Sequence, residues 1–313
     1  MGSLGVTVFF VISGFLITYL LLTEDSKNGR INVKFFYVRR VIRIIPVYML
    51  YLIFVFLCII FVSLRGNFHH INFSTPNLVH LLTFTVNFDK NIIPVFQHFW
   101  SLSVEEQFYF IWPATLIIFR KHLKIVVLIF IVFCCLSRVF ADKFPAYAVF
   151  TLSPFFNFAD SIFIGAFGGI LFSENKNICK LKMFSNYGLQ LIMVVLIVAF
   201  KYFSGTRRVD MIALPLGNTI ISLAIMFLIF SYIIPSEKLI FKILNYKAVV
   251  HIGVLSYSIY IWQQFFFMGN TGVWRIFPYN IVEVYFVALA SYYLWEQPFL
   301  KLKNRFSINK LQL

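Results

Sequence analysis

Nine long apolar runs, at roughly 4–22, 42–64, 104–119, 124–140, 152–172, 187–203, 212–234, 249–268 and 280–299, alternate with short gaps that hold most of the charge. A helix needs about 20 mainly apolar residues to cross a hydrocarbon core, and within lipid it must satisfy its own backbone hydrogen bonds. The pattern therefore predicts an all-α fold, a polytopic transmembrane helix bundle of about nine spans. Composition agrees with this. Hydrophobic residues make up 60% of the chain, aromatic residues 20%, and the mean hydropathy is +0.85, whereas a soluble domain is about half apolar. The near-continuous spans point to one membrane domain over 1–313, which must be embedded in a lipid bilayer.

A net charge of +15 on 313 residues would suit a nucleic-acid binder if the basic residues formed a patch interleaved with aromatics. They fall instead in the gaps between apolar runs, which excludes nucleic acid as the reading and makes the charge a topology signal. Nineteen of the 27 Lys and Arg residues lie in alternate gaps and the C-terminal tail, among them Arg39, Arg40, Arg43, Arg120, Lys182 and Lys303. The sequence thus predicts a multi-pass protein of the plasma or inner membrane with a cytoplasmic C-terminus. With an odd number of spans the N-terminus of this chain falls outside. Cys58, Cys134, Cys135 and Cys179 show no CxxC spacing and read as small apolar residues, and no His, Cys, Asp and Glu cluster has metal-ligand spacing.

The stretch Phe99-Trp100-Ser101-Leu102-Ser103-Val104-Glu105-Glu106-Gln107-Phe108-Tyr109 carries two adjacent carboxylates at the mouth of an apolar run. An acid at membrane depth is a functional candidate by default. Ser103 and Glu106 also have the spacing of a capping box, which would place Glu105 in a favourable first turn. Glu105 shares a helical face with Ser101, Tyr109 and Trp112, a polar and aromatic stripe suited to lining a sugar cavity, while Glu106 aligns with Leu102, Phe110 and Pro113. His98 lies close by in the chain. It reads either as a base beside a carboxylate or as a loop histidine bonded to backbone. Asp160, followed by Gly165, Gly168 and Gly169, is a buried acid expected to face the bundle interior. Ser13-Gly14 reads as close packing in preference to a nucleophile. Pro46 is expected to separate a surface-lying helix from the second span. Arg39, Arg40 and Arg43 either anchor to anionic lipid or grip phosphate with planar forks.

The run Trp-Ser-Leu-Ser-Val-Glu-Glu-Gln-Phe-Tyr, with Trp112-Pro113 after it, resembles the signature of the acyltransferase 3 family of bacterial membrane enzymes. Three further stretches resemble that family in the same order: Leu4 to Ile17 containing Phe9-Phe10-Val11-Ile12-Ser13-Gly14-Phe15, then Arg39-Arg40-Val41-Ile42-Arg43-Ile44-Ile45-Pro46, then Ser256-Tyr257-Ser258-Ile259-Tyr260-Ile261-Trp262. A weaker echo is Ser291-Tyr292 with Glu296-Gln297-Pro298.

The resemblance implies transfer of an acyl group, usually acetyl, from acyl-CoA as co-substrate to a hydroxyl of a cell-surface or lipid-linked glycan, with no bound cofactor. It implies donor binding at Arg39, Arg40 and Arg43, catalysis involving Glu105, Glu106 and His98, and an acceptor cavity with Trp100, Ser101, Tyr109 and Asp160. The family also has a preceding helix that carries a basic residue and a catalytic His. Nothing in this sequence matches it, so the chain is expected to lack the first helix, and Gln263 stands where the family often has a His after Trp. Two other readings stay open: a transporter or flippase with buried acids on its path, and an inactive relative of the family. Glu283 and Glu296 are weaker candidates, and Glu296 reads as an acid snorkelling to the boundary.

Overall fold

The computed structural model describes residues 2–64, 75–144, 153–203, 216–234, 239–267 and 277–303. Every regular element among them is helical: α1 (Gly2–Asn28), α2 (Val33–Leu64), α3 (Thr75–Leu82), α4 (Phe99–Ile118), α5 (Leu123–Lys143), α6 (Ser153–Glu174), α7 (Lys182–Ser185), α8 (Tyr187–Phe203), α9 (Asn218–Tyr232), α10 (Leu239–Leu244), α11 (Lys247–Phe267), α12 (Tyr279–Ser291), a π-turn (Tyr292–Glu296) and α13 (Gln297–Lys303). Helix lies on each of the nine apolar runs. Four segments, Leu4–Asn28, Val33–Phe61, Leu123–Phe140 and Phe155–Glu174, are long and apolar enough to cross a membrane, and Tyr187–Tyr202 and Asn218–Tyr232 are shorter apolar helices. The protein is therefore an all-α, multi-pass membrane protein.

The chain divides into two compact units, the first made of Met1–Ile31, His80–Lys90 and Phe99–Phe241 and the second of Asn32–Val79, Asn91–His98 and Lys242–Leu313. In the first unit α1 and α6 meet backbone to backbone. Burial of apolar surface gives little drive for helices to associate when lipid is equally apolar, so small residues that permit close van der Waals contact decide such pairs. Gly14 and Gly165 are those residues, since a Cβ on Gly14 would lie 2.0 Å from the Ile162 carbonyl oxygen and one on Gly165 would lie 2.0 Å from that of Val11. Around this seam Val11, Phe15, Ile164, Ile225 and Phe230 pack into one core. The packing reading of Ser13-Gly14 holds at Gly14, while Ser13 has a polar role described below.

Also in the first unit, Arg138 is 8% exposed and Asp160 is wholly buried. Their side chains pair at 2.9 Å. Thr219 donates to the same Asp160 oxygen at 2.6 Å, and Asn218 donates to the other at 2.7 Å. Arg138 is thus the internal partner of an acid and not a marker of sidedness. The pairing satisfies the rule that buried charges are neutralised and hydrogen-bonded.

The second unit contains the longest helix. α2 runs unbroken through Pro46 for 32 residues, about 48 Å at 1.5 Å per residue. The expected separation of a surface helix from the span at Pro46 does not occur. Proline removes only one backbone donor, and the Tyr257 hydroxyl and Trp295 indole donate to the Ile44 and Pro46 carbonyls at 2.8 and 2.9 Å, holding the helix on both sides of it.

From residue 75 to residue 98 the chain is partly helical. α3 buries Leu81 and Asn77, and two 3₁₀ turns, Val86–Phe88 and Pro94–Phe96, lead into α4. His69 and His70 lie outside the described residues.

Candidate active site

α4 begins at Phe99, so Ser103 and Glu106 lie inside the helix and the capping box does not form. The Ser103 hydroxyl instead accepts from the Val86 amide at 3.2 Å. The stripe read from helical spacing is real: Ser101, Glu105, Tyr109 and Trp112 are all buried, while Phe110 is 75% exposed. Glu106 is half-buried and flanks that face.

Glu105 sits in a cluster with Ser13 of α1. The Ser13 hydroxyl donates to Glu105 Oε1 at 2.5 Å and lies 2.5 Å from the Tyr109 hydroxyl, and Tyr109 also donates to the same carboxylate oxygen. Trp112, one turn further along, donates from its indole to Thr18 at 2.8 Å, so α4 is tied to α1 at two levels. Trp100 packs edge-on to Phe10, with its ring 4.5 Å from that of Phe158. Gln107 donates to the Phe84 carbonyl and to Asn87 Oδ1, both at 2.8 Å, which fixes the preceding loop against α4. A carboxylate 3% exposed, with one oxygen held by two hydroxyls, cannot swing.

The other expected residues separate into different environments. Asp160 belongs to the Arg138, Thr219 and Asn218 network, which engages both of its oxygens. His98 lies in the second unit, whereas Glu105 lies in the first. There His98 Nε2 lies 3.1 Å from the Ile261 carbonyl, the Val95 carbonyl also faces the ring, and Tyr260 donates to the His98 carbonyl. Burial drives its pKa down to about 3 against the pull of those two carbonyls. The imidazole is therefore neutral across the physiological range, with the Nε2 proton directed at backbone.

In the second unit Arg43 pairs with Glu296 at 2.6 Å and lies over the Tyr257 ring, and Arg40 lies over the Phe36 ring. Arg39, Arg40 and Arg43 are all half-buried on α2.

The four stretches that carry the resemblance, with the weaker echo at Glu296, thus supply the buried Ser13, Glu105 and Tyr109 cluster and the contacts of Glu296 with Arg43 and Ser258. The acyltransferase domain that defines the acyltransferase 3 type matches residues 1–295. The chain belongs to the acyltransferase 3 family. Among members of this family, it is 39% identical over 130 residues to the peptidoglycan O-acetyltransferase OatA of Listeria monocytogenes, across 39% of this chain and 21% of that protein. It is 26% identical to the O-acetyltransferase OatA of Staphylococcus aureus across 96% of this chain and 53% of that protein. The chain therefore spans between about a fifth and about half the length of these relatives. No solved structure matches it.

Ser13, which sequence reasoning assigned to packing, is the residue that the structure adds to the Glu105 cluster. A polar residue facing a buried acid 92 positions away has no local signal, and only a contact between the two helices reveals it.

Proposed function

We propose that this acyltransferase 3 chain moves an acyl group, most simply acetyl, from acyl coenzyme A to a hydroxyl of a cell-surface or lipid-linked glycan. The observation that carries the reading is the buried cluster in which Glu105 and Tyr109 of the Trp-Ser-Leu-Ser-Val-Glu-Glu-Gln-Phe-Tyr motif meet Ser13 of α1. The name of the Listeria relative, a peptidoglycan O-acetyltransferase, supports a glycan acceptor.

In this reaction the acceptor oxygen attacks the thioester carbonyl, a C–O bond forms as the C–S bond breaks, and the hydroxyl proton ends on the coenzyme A thiol. Glu105 holds or receives that proton during the attack, in a low-dielectric site where a fixed carboxylate acts strongly. Ser13 and Tyr109 fix the carboxylate, and Trp100 and Ser101 line the acceptor side. Arg39, Arg40 and Arg43 bind donor phosphates through planar forks. His98 positions backbone in place of acting as a base, with its one ring N–H, on Nε2, committed to the Ile261 carbonyl in a buried setting. Asp160 serves assembly of the first unit, through Arg138. Nine spans with a cytoplasmic C-terminus would put the arginines on the side where acyl coenzyme A is made.

The test is transfer of labelled acetyl from acetyl coenzyme A to glycan in proteoliposomes, using the protein from its complete reading frame. Glu105→Gln is expected to abolish transfer with stability retained, and Glu106→Gln to be milder. Full turnover by Glu105→Gln removes the carboxylate from the mechanism. Reporter fusions after Lys182 and at the C-terminus are expected to read cytoplasmic, and external signals there would invert the donor side.

A further inference from the structure

Three motif stretches that are far apart in the chain meet in the second unit. Arg43 of α2 places Nη1 2.6 Å from Glu296 Oε1, and the Ser258 hydroxyl of α11 donates to Glu296 Oε2 at 2.7 Å. Glu296 ends the π-turn Tyr292–Glu296. Single π-turns are rare and cluster at functional sites, because the extra residue per turn re-aims a side chain. Here the re-aimed side chain is a carboxylate that would otherwise be free to reach the boundary.

The pair is asymmetric. The Glu296 side chain is 1% exposed, with both oxygens engaged, whereas the Arg43 side chain is 29% exposed. A guanidinium has five N–H donors in a rigid fork, and the Glu296 contact engages Nη1 alone. Tyr257 backs the guanidinium plane at 5.6 Å and is itself anchored through its hydroxyl to the Ile44 carbonyl. Trp295, within the π-turn, bonds the Pro46 carbonyl at 2.9 Å. One nitrogen of the Arg43 guanidinium is thus held by Glu296 while the side chain keeps 29% of its surface exposed.

Resting on the donor-phosphate reading of the arginines above, we propose that Glu296 is a positioning residue. With Ser258 it locks Arg43 so that its guanidinium receives a phosphate group of the acyl donor. The π-turn exists to bring that carboxylate to Arg43. Arg39, four residues earlier on the same helix face, stands beside it as a second cation.

The test is coenzyme A binding to the full-length protein in nanodiscs of phosphatidylcholine alone, read by calorimetry together with thermal stability. Arg43→Lys and Glu296→Gln are each expected to weaken binding by about tenfold or more, as for loss of a well-aligned hydrogen bond to a charged group. The exchange variant carrying Arg43→Glu with Glu296→Arg restores an ion pair, and it is expected to recover stability without recovering binding. Ser258→Ala leaves the charges in place and is expected to weaken binding by a few-fold at normal stability, which keeps the idea testable if Glu296→Gln does not fold. Normal binding by Glu296→Gln when Arg43→Lys has lost it overturns the positioning role and leaves the arginine reading intact. Recovery of binding by the exchange variant makes the pair a clamp only and overturns the proposal. Unchanged binding in the Arg39, Arg40 and Arg43 variants alike overturns the donor reading itself. An effect that appears only when phosphatidylglycerol is added assigns the phosphate to a lipid headgroup and overturns its assignment to the donor.

Discussion

Gly14 and Gly165 stand face to face across α1 and α6, each so close to the other helix that a Cβ would lie 2.0 Å from a carbonyl oxygen. The neighbouring Ser13 reaches Glu105 at 2.5 Å. One stretch of α1 therefore serves both the seam with α6 and the contact with the candidate catalytic carboxylate of α4.

Gly14→Ala and Gly165→Ala are each expected to force α1 and α6 apart, because the obstructing atoms are backbone and have no rotamer to retreat to. Overpacking of this kind typically costs about 1–3 kcal/mol. Thermal unfolding in detergent should fall for both variants, and acyl transfer should fall further than stability, since Ser13 moves with the helix. Gly5→Ala, where a Cβ meets nothing within 4 Å, is the control and should match the parent. Wild-type stability of both seam variants would show that the helices do not rely on this contact.

The Arg138 and Asp160 pair yields a second expectation. Removing one partner of a buried pair strands the other charge, at a cost of about 3–5 kcal/mol. Asp160→Asn and Arg138→Met are each expected to lower unfolding stability strongly. The double variant should lose clearly less than the sum of the two, the signature of a direct pair in a mutant cycle. Additive losses would mean that the two side chains do not act on one another.

The periodicity of apolar positions was enough to place helix on each of the nine runs, and the stripe through Ser101, Glu105, Tyr109 and Trp112 followed from helical spacing alone. What spacing could not give is the partner that a face meets. Ser13 and Glu105 are 92 residues apart and Arg43 and Glu296 are 253 apart. No local rule distinguishes a buried acid with a distant partner from one that snorkels. The capping box was misread because Phe99 and Trp100 carry no start signal, yet packing against Phe10 and Phe158 extends the helix back to them.

His98 supplies a pH expectation. In the unfolded chain an imidazole takes up a proton as pH falls through about 6.5, while the folded protein keeps it neutral down to about 3. Between those values the unfolded state binds more protons, so this residue makes stability fall as the pH is lowered from about 6.5 toward 3. His98→Gln keeps an N–H donor for the Ile261 carbonyl and has no group to titrate. It is expected to flatten that part of the stability curve with only a small loss at neutral pH. An unchanged slope would show that other groups set the acid sensitivity.

The Glu105 cluster allows the roles of its two hydroxyls to be separated. Ser13→Ala and Tyr109→Phe each remove one donor from the same carboxylate oxygen and leave the other in place. Hydrogen bonds to a charged group are worth about 1.5–3 kcal/mol, so each variant is expected to lower kcat/KM for acyl transfer by about ten- to a hundredfold. The two residues act on one atom, so their effects should not add. With either donor gone the carboxylate can already rotate, and removing the second should cost less than the first did. KM for acyl coenzyme A should stay near the parent value in both variants, because the donor phosphates are assigned to Arg39, Arg40 and Arg43. A loss confined to KM for the donor, or a Ser13→Ala variant with full kcat, would show that Ser13 and Tyr109 only pack α1 against α4.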